Sequence, residues 1–266
     1  MAQPARKMPP HGEPETVLPS GDPFRYGSRW RRVRLPSGEV TEQQIPLTPD
    51  DLLDPQLGDE VTQSRPHAKL VTTLNDLLER HFDQDPDVQV LFDMKILWGL
   101  PGLPDPSPDI AVVRGAPLNE SRSTFKVAEE GVLPCLIIEV VSYSDAEMYR
   151  NDHEKKVELY QRVGIPEYLV VDPSFSAEDP LRLTGYRMAS DRRYRQIEPD
   201  ARGCLRSETT SLLFAPSENG RTIRVGDAGT GEWLLTAKEE ETARKAAEAE
   251  LARLRAELER FKKTGE

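Results

Sequence analysis

The chain has 266 residues, 37% of them hydrophobic and 30% charged, with a formal net charge of −11. That length supports one substantial hydrophobic core or two small ones. The acidic balance argues against nucleic-acid binding by bulk charge attraction, and no apolar run approaches the roughly 18 to 20 residues of a membrane span.

Residues 1–23 are rich in proline and poor in large apolar groups, so they are expected to be disordered. Met1 to Ser20 has no apolar segment of the kind a secretory signal carries. The next ten residues, 25–34, hold Trp30 and five arginines (Arg25, Arg29, Arg31, Arg32 and Arg34) with no acid among them. Two readings fit: a solvated edge hairpin, or an arm in which Arg29, Arg31 and Arg32 contact phosphates. Arg29–Leu35 and Glu39–Ile45 flank Pro36-Ser37-Gly38, which predicts a hairpin. Thr48-Pro49-Asp50-Asp51-Leu52-Leu53 predicts a capped helical turn.

The spacing of Leu70, Leu74, Leu77, Leu78 and Phe82 predicts a first long helix over His67–Phe82. Strands are predicted over Val88–Leu97 and Ile110–Val113, with the Gly/Pro-rich loop Gly99–Pro108 between them. Leu133–Val141 is a nearly unbroken apolar run, as in a central strand covered on both faces. A helix follows over Asp145–Val163, ended by Gly164, and then a short buried strand over Tyr168–Val171. The alternation predicts an α/β or α+β architecture around a mixed sheet. Short strand candidates at Leu181–Met188, Tyr194–Ile197, Leu212–Phe214 and Thr222–Val225 form a β appendage or extend the main sheet.

From residue 236 the composition turns to Ala, Glu, Lys, Arg and Leu. Ala247, Leu251, Leu254, Leu258 and Phe261 step by 4, 3, 4 and 3, the coiled-coil period. A solvated single helix is the other reading. The expected organisation is a disordered segment 1–23, a globular domain 24–235 and a charged helix or coiled coil 236–266. Cys135 and Cys204 are far apart, neither in a zinc-like spacing. Cys135 is expected to be a buried free thiol, and a reducing, cytoplasmic setting is the default.

Chemistry concentrates between residues 108 and 172. Asp109 and Glu139 interrupt apolar, β-prone runs, and a lone buried carboxylate is costly unless a cation or donors meet it. Two acids from adjacent strands, helped by the Val140 carbonyl, match the hard-oxygen preference of Mg²⁺. The alternative is that Asp109 caps a turn and Glu139 pairs with a buried arginine. Asp152, Lys156 and Tyr160 stand at i, i+4 and i+8 and share a helix face. A lysine there can orient a metal-bound water and stabilise charge on an attacked phosphate. A solvated face with an Asp–Lys pair is the alternative.

Pro108-Asp109, Glu139-Val140-Val141-Ser142, Asp152-x-x-x-Lys156-x-x-x-Tyr160 and Gly164-Ile165-Pro166-Glu167-Tyr168-Leu169-Val170-Val171-Asp172-Pro173, in that order, resemble the bacterial Uma-type restriction endonucleases. These form a branch of the PD-(D/E)xK nuclease superfamily, and the likeness covers residues 60 to 235. The resemblance implies a restriction-endonuclease-like mixed sheet flanked by helices, with magnesium (or manganese in its place) at the acid pair. Asp109 corresponds to the aspartate of "PD" and Glu139 to the acid of "(D/E)xK". The usual lysine position, two residues on, is Val141, so Lys156 on the next helix is the lysine that matches. His67 would line the site, and the C-terminal helix resembles a tail that many members carry. The function implied is Mg²⁺-dependent hydrolysis of DNA phosphodiester bonds, in an enzyme expected to be a homodimer. The competing function is a catalytically inactive nuclease fold that recruits a protein partner through its C-terminal helix.

Overall fold

The structure is a computed structural model and describes residues 21–119, 121–142, 146–173 and 180–264. Of the expected disordered segment, residues 1–20 lie outside the described residues. The described chain opens with the predicted hairpin, β1 (Gly27–Arg34) and β2 (Val40–Pro46), with Arg34 opposite Val40 across the turn. β3 (Glu60–Val61) joins the other edge of β1 through Gly27 and Ser28. Between β2 and β3, Thr48 and Asp51 cap a 3-10 turn reciprocally. The Thr48 N–H donates to the Asp51 carboxylate at 2.8 Å and the Asp51 N–H to the Thr48 hydroxyl at 3.3 Å.

Gly27 holds the β1–β3 contact. Its φ is +113°, and an added Cβ would overlap the Glu60 carbonyl oxygen. Gly27→Ala is therefore expected to cost at least ~2 kcal/mol and to loosen residues 54–63. Limited proteolysis and thermal melting check this; an unchanged melting temperature and cleavage pattern would show that the β1–β3 pairing contributes nothing.

α1 (Arg65–Phe82) starts two residues earlier than the apolar spacing indicates, because Ser64 caps it and Pro66 sits in its first turn. Its inner stripe is Leu70, Val71, Leu74, Leu77, Leu78 and Phe82. The next stretch was expected as one strand over 88–97 and is two. β4 (Val88–Phe92) ends at Asp93, whose φ is +44°, and β5 (Lys95–Leu97) leaves the main sheet. β6 (Ile110–Arg114) returns to it, and β7 (Thr124–Lys126), followed by the short α2 (Val127–Glu130), pairs in parallel with β5.

β8 (Pro134–Val140) leads into α3 (Ala146–Arg150), a π-helical turn at Asn151–Lys155, and α4 (Lys156–Val163), which ends at Gly164. The expected helix over 145–163 is thus interrupted by a wide turn. Groups from outside compete for its backbone and side chains: the Tyr168 hydroxyl donates to the Asp152 carbonyl at 2.9 Å, and Asn151 Nδ2 donates to the Pro49 carbonyl at 2.8 Å. β9 (Glu167–Asp172) follows, parallel to β8, as a helical crossover requires. β10 (Arg182–Met188) and β11 (Tyr194–Gln196) extend the same sheet. β12 (Leu205–Arg206), β13 (Leu212–Pro216) and β14 (Ile223–Asp227) form a separate antiparallel sheet, so both readings of the late strands apply. α5 (Ala237–Thr264) completes the described chain.

The main sheet is six-stranded and mixed, in the order β11-β10-β9-β8-β6-β4, with β8–β9 its parallel pair. Strand alternation sorts its apolar residues into two layers. Ile110, Val112, Leu136, Ile138, Val140, Leu169 and Val171 pack against α1 and against β13 and β14. Ala111, Val113, Ile137, Val141, Tyr168 and Val170 pack against α4, Ile96 of β5, Phe125 of β7 and Trp98. The fold is α+β, a mixed central sheet with helices on both sides and a C-terminal helix. Cys204 is buried and free; Cys135, expected to be buried, is free but only half-buried, with its thiol on the Val112 carbonyl. No helix among the described residues is long and apolar enough to cross a membrane.

Candidate active site

Antiparallel pairing brings the two acids together. Ile110 of β6 lies opposite Ile138 of β8, so Asp109, one residue before, meets Glu139, one residue after. The Val140 N–H donates to Asp109 Oδ2 at 2.7 Å, and the Asp109 N–H points to Glu139 Oε2 at 3.5 Å. In a strand the N–H and C=O of one residue face the same neighbour, so the Val140 carbonyl is presented to the same edge as Asp109. Neither turn capping alone nor a buried arginine accounts for these acids.

Glu139 shares its sheet face with Ile137 and Val141, the face covered by α4. There Lys156 opens the helix and places Nζ 2.9 Å from Glu139 Oε2 and 2.8 Å from Asp152 Oδ1. The Tyr160 hydroxyl, one turn on, donates to Glu139 Oε1 at 2.7 Å. Lys155, next in sequence, points away and pairs with Asp50 at 2.7 Å. The position two residues after the acid, Val141, is fully buried in the apolar layer, and the amine arrives from the helix instead.

The charges in this cluster do not cancel. Asp109, Glu139 and Asp152 surround one ammonium. Burial pushes the Glu139 carboxyl well above the usual carboxylate range; Lys156 opposes this, while Asp109 and Asp152 add to it. Asp152 is raised for the same first cause, again opposed by Lys156. For Lys156 burial acts to lower the pKa, but Asp152, Glu139 and Asp109 outweigh it and hold the amine firmly protonated.

His67 reaches the site from the opposite layer, at the start of α1. Its Nε2 lies 3.3 Å from Asp109 Oδ2, and burial there is outweighed by Asp109, so the imidazole pKa is raised. A cavity of about 530 Å³ opens at this point, lined by His67, Asp93, Asp109, Glu139, Val140 and Lys156 among others. Its outer wall is the segment 55–63. Lys95 anchors that wall by donating to Asp54 and to the Pro55 carbonyl, and Arg29 anchors it by a bidentate bond to Asp59.

Asp109, Glu139, Val140, Lys156, His67, Asp152 and Tyr160 are thus brought to one place. The three arginines are not. Arg29 is committed to Asp59 and Asp51, while Arg31 and Arg32 lie exposed on the β1–β2 hairpin, Arg32 beside Glu42. Asp93 and Lys95 were not singled out from sequence; a lone acid and lysine within an expected strand carry no signal until the positive φ at Asp93 turns the chain towards the cavity. Among the described residues no group of three or more His, Cys, Asp or Glu side chains forms a ready-made metal cage. The donors present nonetheless suit a hard cation: Mg²⁺ commonly takes one or two carboxylates, completing its shell with carbonyl, water and substrate oxygens. The unbalanced negative charge around Glu139 is what such an ion would relieve.

A protein-family model covers the same residues. The family model Uma2, "Putative restriction endonuclease", matches residues 51–215, well over half of the chain and all of the acid–lysine cluster. A crystal structure of a "putative nuclease" from Anabaena variabilis ATCC 29413 is similar to 67% of this chain and 82% of its own, at 14% identity and a TM-score of 0.40. No curated protein matches. Since the matched span runs from the cavity wall through both acids and the helix lysine, the chain belongs to the Uma2 family, the family of restriction endonuclease type.

Proposed function

We propose that the protein is a divalent-metal-dependent endonuclease that hydrolyses phosphodiester bonds in DNA. Family membership supports nuclease action at a coarse level. The observation that carries the finer reading is the meeting of Asp109, Glu139 and protonated Lys156 at the mouth of a cavity. Asp109, Glu139 and the Val140 carbonyl would hold Mg²⁺, with Mn²⁺ able to replace it. Bound there, the ion would polarise a phosphoryl oxygen and lower the pKa of a water.

The chain's own groups have distinct tasks. Lys156 is held protonated, so it acts as a hydrogen-bond donor and a positive charge, orienting the attacking water and stabilising charge that develops on the phosphate, rather than as a base. Tyr160 fixes one Glu139 oxygen and so sets the direction of the other. Asp152 positions the Lys156 ammonium from the helix side. His67 steadies Asp109. Arg31 and Arg32, exposed on the hairpin, would contact the DNA backbone outside the cavity.

The test is cleavage of supercoiled plasmid with Mg²⁺ and with Mn²⁺. The wild type is expected to nick and linearise it, and Asp109→Asn and Glu139→Gln each to lose at least ~10²-fold in rate while remaining folded. An intact plasmid with both metals at high protein concentration would overturn the proposal in favour of a non-catalytic binding module. Cleavage surviving both substitutions would place the chemistry elsewhere.

A further inference from the structure

We infer that α5 is the interface of a parallel, in-register homodimer of this chain. Among the described residues, the contacts that tie the helix to the globular domain lie at its start. Thr236 and Glu239 form a reciprocal cap, with the Thr236 N–H donating to Glu239 at 2.7 Å and the Glu239 N–H to the Thr236 hydroxyl at 3.3 Å. Arg224 pairs with Glu239, and Arg80 of α1 bridges to Glu240 at 2.6 Å and to the Leu235 carbonyl at 2.9 Å. Beyond this first turn every residue from 241 to 260 is exposed. A helix of 28 residues spans ~42 Å. Most helical stability in proteins comes from packing an apolar face, and over residues 241–260 this one packs against none of the described residues.

The exposed stretch nevertheless carries a seam. Leu251, Leu254 and Leu258 are 48%, 49% and 55% exposed, large values for apolar side chains in register. With Ala247 and, by sequence, Phe261, they occupy alternating d and a heptad positions: Ala247, Leu254 and Phe261 at d, Leu251 and Leu258 at a. That assignment fixes the flanking positions. Glu250 and Glu257 fall at g; Glu248, Arg255 and Lys262 fall at e.

The flanking charges choose the occupant and its direction. In a parallel coiled coil each g residue faces the e residue five positions on in the partner helix. Glu250 then meets Arg255 of the second copy and Glu257 meets Lys262, and the two-fold axis repeats both pairs. An antiparallel arrangement sets g against g and e against e: Arg255 would meet Glu248, but Glu250 would approach Glu257, a repulsion that the parallel arrangement avoids. The present i,i+3 contact of Glu250 with Arg253, at 2.8 Å, is between exposed groups and is exchanged at little cost. The seam is short, so the association is reversible and depends on concentration. In the parallel dimer the two globular bodies sit at the same end of the coil. The inference does not depend on whether the protein cleaves DNA.

The full-length chain tests this by sedimentation or light scattering across a dilution series, from about 100 µM downward. A dimer mass that falls towards monomer on dilution is expected. E250K/E257K should be monomeric at all concentrations, and E250K/E257K/R255E/K262E, which reverses every pair, should regain the dimer. Ala247→Cys should cross-link to its counterpart under mild oxidation, beyond the background of Cys135 and Cys204. In an antiparallel dimer residue 247 would lie level with residue 258 of the partner, ~16 Å from its own counterpart. Positions 247, 250, 255 and 257 are exposed, so substitutions there leave the core untouched. A monomer throughout, a dimer indifferent to the charge reversals, or a dimer without the cysteine cross-link would each overturn the inference. A monomer would point instead to a helix from another protein as the partner of the seam.

Discussion

Lys156→Met is expected to cost at least ~10²-fold in DNA cleavage and about 3–5 kcal/mol of stability, with the stability loss growing as pH rises. The amine lies within 2.9 Å of Glu139 and 2.8 Å of Asp152, two side chains shielded from water. Removing it strands both carboxylates. Both already have folded-state pKa values raised by burial, with Lys156 as the opposing influence. Without the lysine they rise further. A carboxyl raised in the folded state contributes its full stability below its unfolded pKa and loses it as pH climbs through the folded value. The variant should therefore be near wild type at about pH 5 and clearly weaker at about pH 8. Lys156→Met combined with Glu139→Gln should recover part of that stability at high pH and none of the cleavage. Denaturant melts at the two pH values, beside plasmid cleavage, make the comparison. A deficit equal at both would mean that lost packing, and not stranded charge, is what the lysine prevents.

The second large effect lies in the sheet, away from the cavity. Glu167, at the start of β9, is buried and receives five hydrogen bonds: from Ser207 Oγ at 2.5 Å, the Glu208 and Thr209 N–H groups at 3.0 and 3.2 Å, Thr209 Oγ1 at 2.7 Å and Arg187 Nε at 2.7 Å. This side chain ties the segment before β13 to the main sheet. Burial alone would raise its pKa, but the donors from Ser207, Glu208, Thr209 and Arg187 outweigh it and hold the carboxyl below its usual range. Glu167→Ala leaves those donors unpaired and is expected to cost about 3–5 kcal/mol. The pH dependence has the opposite sign to that of the lysine variant. A depressed carboxyl gives stability above its unfolded value of 4.5, and that stability is lost as acid carries the pH through the folded value. Wild type should therefore weaken on acidification below pH 4.5, and Glu167→Gln should show a flatter profile there. Parallel acid profiles for the two proteins would remove Glu167 from the account of acid stability.

The acids of the site are legible in the sequence because charge inside an apolar β-prone run is costly and so stands out. The spacing of four puts Lys156 on one face with Asp152 and Tyr160, which fits a solvated ion pair equally well; the resemblance to the Uma-type endonucleases is what singles the lysine out, and the turn before it is π-wound rather than α-wound. The α1 and β8 elements follow from apolar periodicity in the same way. What periodicity does not carry is contact at long range. Asn151 meets Pro49 and Lys155 meets Asp50 across a hundred residues of chain. The wall formed by residues 55–63 has no apolar pattern, and its position depends on Lys95 and Arg29 finding partners elsewhere. Glu167 appears in the sequence as one more acid beside a strand; its donors come from Arg187, 20 residues on, and from residues 207–209, 40 or more residues on. The break at Asp93 depends on a single positive φ, which no composition rule anticipates.

A sheet keeps its two coats of side chains apart by the thickness of a backbone everywhere except along its rim. At the rim where β6 begins and β8 ends, His67 arrives from the α1 coat and Lys156 from the α4 coat, and each grips a different acid. The two halves of the machinery are therefore tuned by separate interiors. Altered packing beneath Leu74 would first disturb the imidazole's grip on Asp109, altered packing beneath Leu159 would first disturb the amine's grip on Glu139, and either fault would reach the other only through the contact between the two acids at the rim.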